Sequence, residues 1–87
     1  FSWDIEKEKT NLSKHKVSFR EASTVFADTF SITFDDPKHS IGEHRMLTFG
    51  LSAEGRMFAV SHVERGSFTR IISARPLTKR ERRIYED

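Results

Sequence analysis

Hydrophobic residues follow two different periods along the chain, and the change of period separates a helical part from an extended part. Phe19, Ala22 and Phe26 recur at the three- and four-residue spacing of a helix. From Phe30 onward the period becomes two, as in FSITFDD, where apolar and polar residues alternate. The pattern therefore predicts helices first and strands afterwards.

Polar residues at the helix boundaries set the predicted helix ends. Asp4 is a favourable N-cap, and the first helix should end at the basic residues 14–16. Its expected apolar contacts are Trp3, Ile5 and Leu12.

Two capping-box spacings predict the remaining helices. The motif S-x-x-E beginning at Ser18 predicts a short helix over residues 19–27. The motif T-x-x-E beginning at Thr78 predicts a terminal helix that runs to about Tyr85.

Four strands are expected between these helices, in FSITFDD, HRMLTFGLS, RMFAVSHVE and FTRIISAR. The short turns SAEG and RGS favour an antiparallel meander for the last three. The order α-α-β-β-β-β-α predicts an α+β fold: two N-terminal helices, a four-stranded, mainly antiparallel sheet, and a short C-terminal helix. The helices should cover one sheet face.

The expected core comes from the strands. Phe58 and Val60 share a face of the third strand, and residues 47, 49 and 51 (Leu, Phe, Leu) share a face of the second. The smaller Ala59 and Ser61 lie on the other face of the third strand, which is either a ligand surface or simply solvated.

Length and composition limit the class of protein. With 87 residues, 36% hydrophobic and 32% charged, the chain is expected to form one soluble domain over residues 1–87. The absence of cysteine excludes disulfides, thiol nucleophiles and Cys-ligated metals. No apolar run approaches the roughly 20 residues that span a bilayer, and no secretory signal is visible, so we expect a cytoplasmic protein without membrane contact.

Positive charge is concentrated towards the C-terminus. The net charge is +2, but residues 65–83 contain seven basic residues and one acid, Glu81. Such a cluster attracts polyanions, and its bias towards arginine favours phosphate groups. The alternative is a solvated helix face.

No metal or cofactor is expected. His39 and His44 stand five positions apart in HSIGEH, which matches neither H-E-x-x-H nor its inverse. There is no Gly-rich phosphate loop.

Three segments together resemble the BrnT family: W-D-x-x-K at the start, K-H-x-V-x-F after the first helix, and I-S-A-R-x-x-x-x-x-E-R-x-x-Y at the end. The resemblance runs from Trp3 to Glu86. It implies a RelE-like ribonuclease fold and an RNA-cleaving toxin. It also implies neutralisation by a BrnA-type antitoxin, a ribbon-helix-helix protein, with promoter DNA bound only through the toxin–antitoxin complex.

Metal-independent RNA cleavage needs a base, an acid and cationic groups at the phosphate, and the chain has candidates for each. Arg75, before Pro76 at the end of the last strand, is the candidate phosphate contact; the alternative is a salt bridge to a helix acid. Glu43 and Arg45 form a candidate base and phosphate clamp, or a surface ion pair. Tyr85 is a candidate proton donor, or an anchor of the last helix.

Further basic residues are candidates for contact with the RNA backbone. His62 is in phase with the core and is expected to be a satisfied core-edge histidine. The candidate RNA-binding residues are Arg65, Arg70, Lys79, Arg82, Lys14 and His15. The competing hypothesis is a non-catalytic RNA- or protein-binding module that docks an acidic partner through its basic C-terminal strand and helix.

Overall fold

Five strands form the sheet in the computed structural model, which describes residues 1–87. The sheet has the order β1-β5-β4-β3-β2. The strands are β1 (Ser2–Trp3), β2 (Ile32–Asp35), β3 (Arg45–Leu51), β4 (Met57–Arg65) and β5 (Phe68–Pro76). The helices are α1 (Ile5–His15), α2 (Phe19–Ser23) and α3 (Lys79–Glu86), with 3₁₀ turns at Thr24–Ala27 and Pro37–His39.

The expected α+β fold is confirmed, but the sheet has one more strand than the sequence predicted. β1 pairs in parallel with β5, with Ser2 opposite Arg70 and Trp3 opposite Ile71. A strand of two residues is too short to show a period, so the hydrophobic pattern could not indicate it. The last three strands form the expected antiparallel meander, and β2 pairs antiparallel with β3 at its edge.

The first helix begins where the sequence predicted, but its expected apolar contacts were mostly wrong. The Asp4 carboxylate accepts hydrogen bonds from the amides of residues 6 and 7, at 2.8 and 3.2 Å. Trp3 packs edge-on against Phe19. By contrast, Ile5 and Leu12 are 64% and 48% exposed, because α1 packs on β5 through another side, which contains the buried Asn11.

The predicted helix over residues 19–27 is divided into α2 and a 3₁₀ turn. Ser18 caps it by accepting a hydrogen bond from the Glu21 amide at 3.0 Å. The Glu21 carboxylate does not complete the capping box, because it bonds to the guanidinium of Arg56 and to the Ser52 hydroxyl. This ion pair, in which the glutamate is buried and the arginine partly exposed, ties α2 to the turn between β3 and β4.

The main core lies between α1, α2 and one face of the sheet. Phe58 and Val60 are fully buried there, as expected. Residues 47, 49 and 51 of β3 lie on the opposite face, because the register places Gly50 beside Phe58 and Thr48 beside Val60. Gly50 is required at its position, since a Cβ would come within 2.6 Å of the Val25 side chain.

The second face of the sheet is covered over one half only. There, α3 packs over a small cluster formed by Phe49, Ala59 and Leu77, with Tyr85 at its margin. The predicted capping box of α3 is present in full between Thr78 and Glu81. The uncovered half, which we call the open face, is formed by Arg45, Leu47, Ser61, Arg70, Ser73 and Arg75.

Candidate active site

The antiparallel register brings two candidate arginines to opposite sides of a polar floor. Arg45 of β3 pairs with Val63 of β4, and Arg75 of β5 pairs with Ala59 of the same central strand. Ser61 lies between these two positions of β4, and it pairs with Leu47 of β3 and with Ser73 of β5. The floor between the arginines is therefore formed by Leu47 and by two small residues, Ser61 and Ser73.

A bulge in β5 brings a third arginine, Arg70, to the same face as Arg45 and Arg75. Ser61 pairs with Ser73, whereas the next residue of β4, His62, pairs with Ile71. One residue of β5 is thereby skipped. Arg70 and Arg75, five positions apart, would face opposite sides of a regular strand, and the bulge brings them to the same side.

The open face contains a pocket of about 300 Å³, which we call the arginine pocket. Its lining consists of Asp36, His39, Arg45, Leu47, Ser61, Ser73 and Arg75. Two guanidinium groups, one imidazole and two hydroxyls line this pocket, together with one carboxylate, that of Asp36, which contacts the imidazole. The two guanidinium groups make the pocket suited to an anionic ligand.

Arg45 is held by its backbone and leaves its guanidinium unpaired. Its carbonyl accepts a hydrogen bond from the Asp36 amide at 2.9 Å, and its amide donates to the Ser40 hydroxyl at 3.0 Å. Its side chain takes part in no hydrogen bond or ion pair within the chain. This cation is therefore available to a ligand in the arginine pocket.

Arg75 makes the salt bridge that the sequence offered as its alternative role. Its guanidinium donates two hydrogen bonds to the carboxylate of Glu81 on α3, at 2.7 and 2.9 Å. The bonded Arg75 lowers the pKa of Glu81 to about 2, and Glu81 raises the pKa of Arg75. Arg75 still lines the arginine pocket, so the ion pair orients this guanidinium at the pocket wall.

Glu43 pairs with Arg65 rather than with Arg45. Two hydrogen bonds, at 2.9 and 2.8 Å, join the Arg65 guanidinium to the Glu43 carboxylate. Hydrogen bonding from Arg65, with weaker attraction from Arg45 and Arg70, lowers the pKa of Glu43. Its carboxylate is thus ionised at neutral pH and engaged by an arginine.

A histidine that the sequence gave no catalytic role lies in the arginine pocket. The Nδ1 atom of His39 is 3.0 and 3.1 Å from the two carboxylate oxygens of Asp36. Both residues belong to the segment 36–40, which lies between β2 and β3 and contains the 3₁₀ turn Pro37–His39. The spacing D-x-x-H, which allows one helical turn to join the two side chains, was the available signal.

The family of the chain follows from its sequence. A sequence model described as the ribonuclease toxin BrnT of type II toxin–antitoxin systems matches residues 3–81. The chain belongs to the BrnT family. It is therefore a ribonuclease-toxin family member whose partner is an antitoxin.

A solved structure agrees with this assignment at the level of the fold. The crystal structure of the Brucella abortus ribonuclease toxin BrnT superposes with a TM-score of 0.70 at 23% sequence identity. The match covers 91% of this chain and 96% of that one. A search of curated proteins gave no match.

In this BrnT-family chain, Tyr85 lies outside the arginine pocket. Its hydroxyl donates a hydrogen bond of 2.5 Å to the carboxylate of Asp28, beside the 3₁₀ turn that follows α2. Desolvation, and then the contact with Asp28, raise the pKa of Tyr85 to about 12. The geometry matches the anchoring role that the sequence offered as its alternative.

Five other predicted RNA-binding residues lie in three different places. Arg70 lies on the open face beside Ser2. Lys14 and His15 line a second pocket of about 360 Å³, between α1 and β5, which shares Ser73 with the arginine pocket. Lys79 and Arg82 lie on α3, where Arg82 lines a separate pocket near the β3–β4 turn.

His62 is buried in the main core, as expected. Its ring bonds to the Thr48 hydroxyl at 2.8 Å and to the Glu64 carboxylate at 2.9 Å, and it packs edge-on against Phe26. Burial lowers the pKa of His62, which opposes its protonation. This histidine is satisfied within the fold.

The structure contains no cluster of three or more His, Asp or Glu side chains that could hold a metal ion. None of the three helices has the length and apolar character that a membrane crossing requires.

Proposed function

We propose that the chain is an endoribonuclease toxin that cleaves RNA without a metal ion in the arginine pocket. The reaction is an internal transesterification: the ribose 2′-oxygen attacks the adjacent phosphorus, and the bond from phosphorus to the 5′-oxygen breaks. Arg45 and Arg75 stabilise the charge that develops on the phosphate oxygens. Growth arrest follows from loss of RNA, and the site of action is the cytoplasm.

The unpaired guanidinium of Arg45, facing Arg75 across two serines, is the observation that carries this proposal. An arginine without an acidic partner matches a phosphate, whose oxygens accept two parallel N–H bonds. Arg75 is pre-positioned by Glu81 and needs no reorganisation to face the same phosphate. The hydroxyls of Ser61 and Ser73 leave room for a bulky tetrahedral group.

Metal independence is supported by the side chains themselves. The chain has no cysteine, and no three of its acids and histidines are gathered in one place. Fixed guanidinium groups supply the positive charge at the phosphate that a metal would otherwise supply.

The test is cleavage of a fluorescent mixed-sequence RNA pool in EDTA. Wild type should produce fragments that end in a 2′,3′-cyclic phosphate, and Arg45→Ala and Arg75→Ala should cleave at least about 100-fold more slowly. Arg83→Ala is the matched control, because Arg83 is an exposed arginine of α3 that lines no pocket. Cleavage that requires added metal, or arginine variants as active as wild type, would contradict the proposal.

Glu81→Gln separates phosphate contact from helix docking. It removes the charge that binds Arg75 but keeps a side chain able to complete the capping box. Activity retained in Glu81→Gln and lost in Arg75→Ala would assign the loss to the phosphate contact. Equal loss in both would assign it to the ion pair.

The proposed antitoxin is a BrnA-type ribbon-helix-helix protein that inhibits by covering the open face, and promoter DNA is bound only by the complex. Support comes from the family assignment and from the uncompensated cations of this face, which suit an acidic segment. The cognate antitoxin should block cleavage at one-to-one stoichiometry. Arg45→Ala or Arg70→Ala should weaken the complex, whereas Arg83→Ala should not.

A further inference from the structure

The arginine pocket contains only one side chain suited to proton transfer near neutral pH. Arginine does not release its proton under these conditions, and serine hydroxyls are far weaker acids and bases than imidazole. Imidazole changes its protonation state between about pH 5 and pH 8. Among the residues that line the pocket, His39 is the one imidazole, and the one carboxylate, that of Asp36, is engaged by its Nδ1 atom.

The contact with Asp36 defines what the imidazole of His39 can do. Its Nδ1 atom lies within hydrogen-bond distance of both carboxylate oxygens. An N–H at Nδ1 that donates to a carboxylate leaves the lone pair on Nε2, so the ring accepts a proton there. The carboxylate then stabilises the imidazolium that forms.

The turn that contains this pair is tied to the strand that contains Arg45. The Ser40 hydroxyl donates to the Asp36 carbonyl at 2.7 Å and accepts from the Arg45 amide at 3.0 Å. The Asp36 amide bonds in turn to the Arg45 carbonyl. Hydrogen bonds thus join the turn that contains the imidazole to the strand that contains the free guanidinium. The His39 side chain itself stays exposed.

We propose that His39 is the general base that removes the proton from the 2′-hydroxyl, and that Asp36 is its positioning residue. This assignment rests on the proposed ribonuclease function and gives the proton transfer to His39 rather than to Glu43. The 2′-oxygen forms its bond to phosphorus as its proton moves to Nε2. The bond to the 5′-oxygen breaks, and the departing oxygen takes a proton from water. The resulting hydroxide removes the proton from the imidazolium.

Glu43 is the weaker candidate for electrostatic reasons. Its carboxylate already accepts two hydrogen bonds from Arg65, and its lowered pKa makes it a poor proton acceptor. The charged groups around the imidazole of His39 are Asp36 in the same turn, Arg45 from β3 and Arg75 from β5.

The chain offers a close control in its second loop histidine. His44 also contacts an aspartate, with Nε2 at 2.8 Å from Asp35, and it is similarly exposed. It does not line the arginine pocket. His39→Gln should lower kcat about 100-fold or more and remove the acidic limb of the pH–rate profile, whereas His44→Gln should preserve both.

Binding is measured separately with an uncleavable oligonucleotide that has 2′-deoxyribose at every position. His39→Gln should bind it within about twofold of wild type, because the arginines are intact. Asp36→Asn should lower kcat and shift the acidic limb, with Asp35→Asn as its control. Equal losses of binding and of kcat in His39→Gln would overturn the assignment as a base.

A modified substrate distinguishes a base from an acid. Sulfur in place of the bridging 5′-oxygen makes a leaving group that needs no proton. The His39→Gln defect should persist on this substrate if His39 is the base, and restoration of its rate would assign His39 as the acid and overturn the proposal. His39→Gln as active as wild type, beside an inactive Arg75→Ala, would overturn the inference and leave the ribonuclease function standing. A wild type that cleaves no RNA would overturn both.

Discussion

Asn11 joins three parts of the fold with one buried side chain. Its amide nitrogen donates to the Val17 carbonyl at 2.9 Å, and its amide oxygen accepts from the Ala74 amide at 3.0 Å. The second bond serves β5 beyond the point where the short β1 ends. Buried backbone groups need such partners, so a polar residue here is worth more than an apolar one.

Asn11→Ala should therefore destabilise the protein by roughly 2 kcal/mol or more, because two buried backbone groups lose their partners. Leu12→Ala, one position along the same helix, should cost less than about 1 kcal/mol, since Leu12 is about half exposed. Urea unfolding of both variants measures the difference. The opposite order would show that α1 docks through its apolar residues, as the sequence alone had suggested.

At the scale of elements, features set by residues close together in sequence could be predicted, and features set by residues far apart in sequence could not. The caps at Asp4, Ser18 and Thr78 were predictable because a capping side chain bonds to amides two or three residues away. The convergence of Arg45 and Arg75 depends on strand register, and the position of Arg70 on the same face depends on a bulge. Neither has a local signal, because both are set by packing between strands far apart in sequence.

The docking of α3 depends on contacts at both of its ends. Tyr85→Phe removes the hydrogen bond to Asp28, which keeps two backbone donors, the amides of Phe30 and Leu51. We expect a loss of about 1–2 kcal/mol in stability and RNA cleavage within about threefold of wild type. A large loss of cleavage with unchanged thermal stability would instead support Tyr85 as a catalytic group.

Acid should loosen the other end of α3. The pKa of Glu81 is lowered from its ordinary 4.5 to about 2, chiefly by the hydrogen bonds from Arg75. Its ionised form therefore stabilises the fold above about pH 4.5, and this contribution is lost as the pH falls towards 2.

Glu81→Gln removes that contribution at every pH. The free energy of unfolding of this variant should be about 1–2 kcal/mol lower than that of wild type at pH 6, allowing for screening of the partly exposed Arg75. This deficit should shrink towards pH 2. Chemical unfolding at several pH values measures this difference. Glu86→Gln, at the exposed end of the same helix, should show no such trend, and a deficit in Glu81→Gln that is constant with pH would contradict the linkage.

At the scale of the whole molecule, the fold concentrates positive charge on one face although the net charge is modest. The net charge is only +2, but the bulge and the register place Arg45, Arg70 and Arg75 on one face. The pocket that contains Lys14 adjoins this face at Ser73. The two pockets together form a continuous path beside β5, which presents Lys14, Arg45 and Arg75 along with the acids Asp4, Glu6 and Asp36.

Such a path should make RNA binding depend on salt in proportion to its number of phosphate contacts. In a plot of log affinity against log salt concentration, each contact with a single strand contributes a slope of about 0.7. Arg70→Ala and Lys14→Ala should each reduce the slope by about that amount, measured with the uncleavable oligonucleotide. Arg20→Ala, at an exposed position of α2, should leave it unchanged. Arg65→Ala should have a smaller effect than Arg70→Ala, because Glu43 already neutralises Arg65; equal effects would mean that RNA displaces that carboxylate.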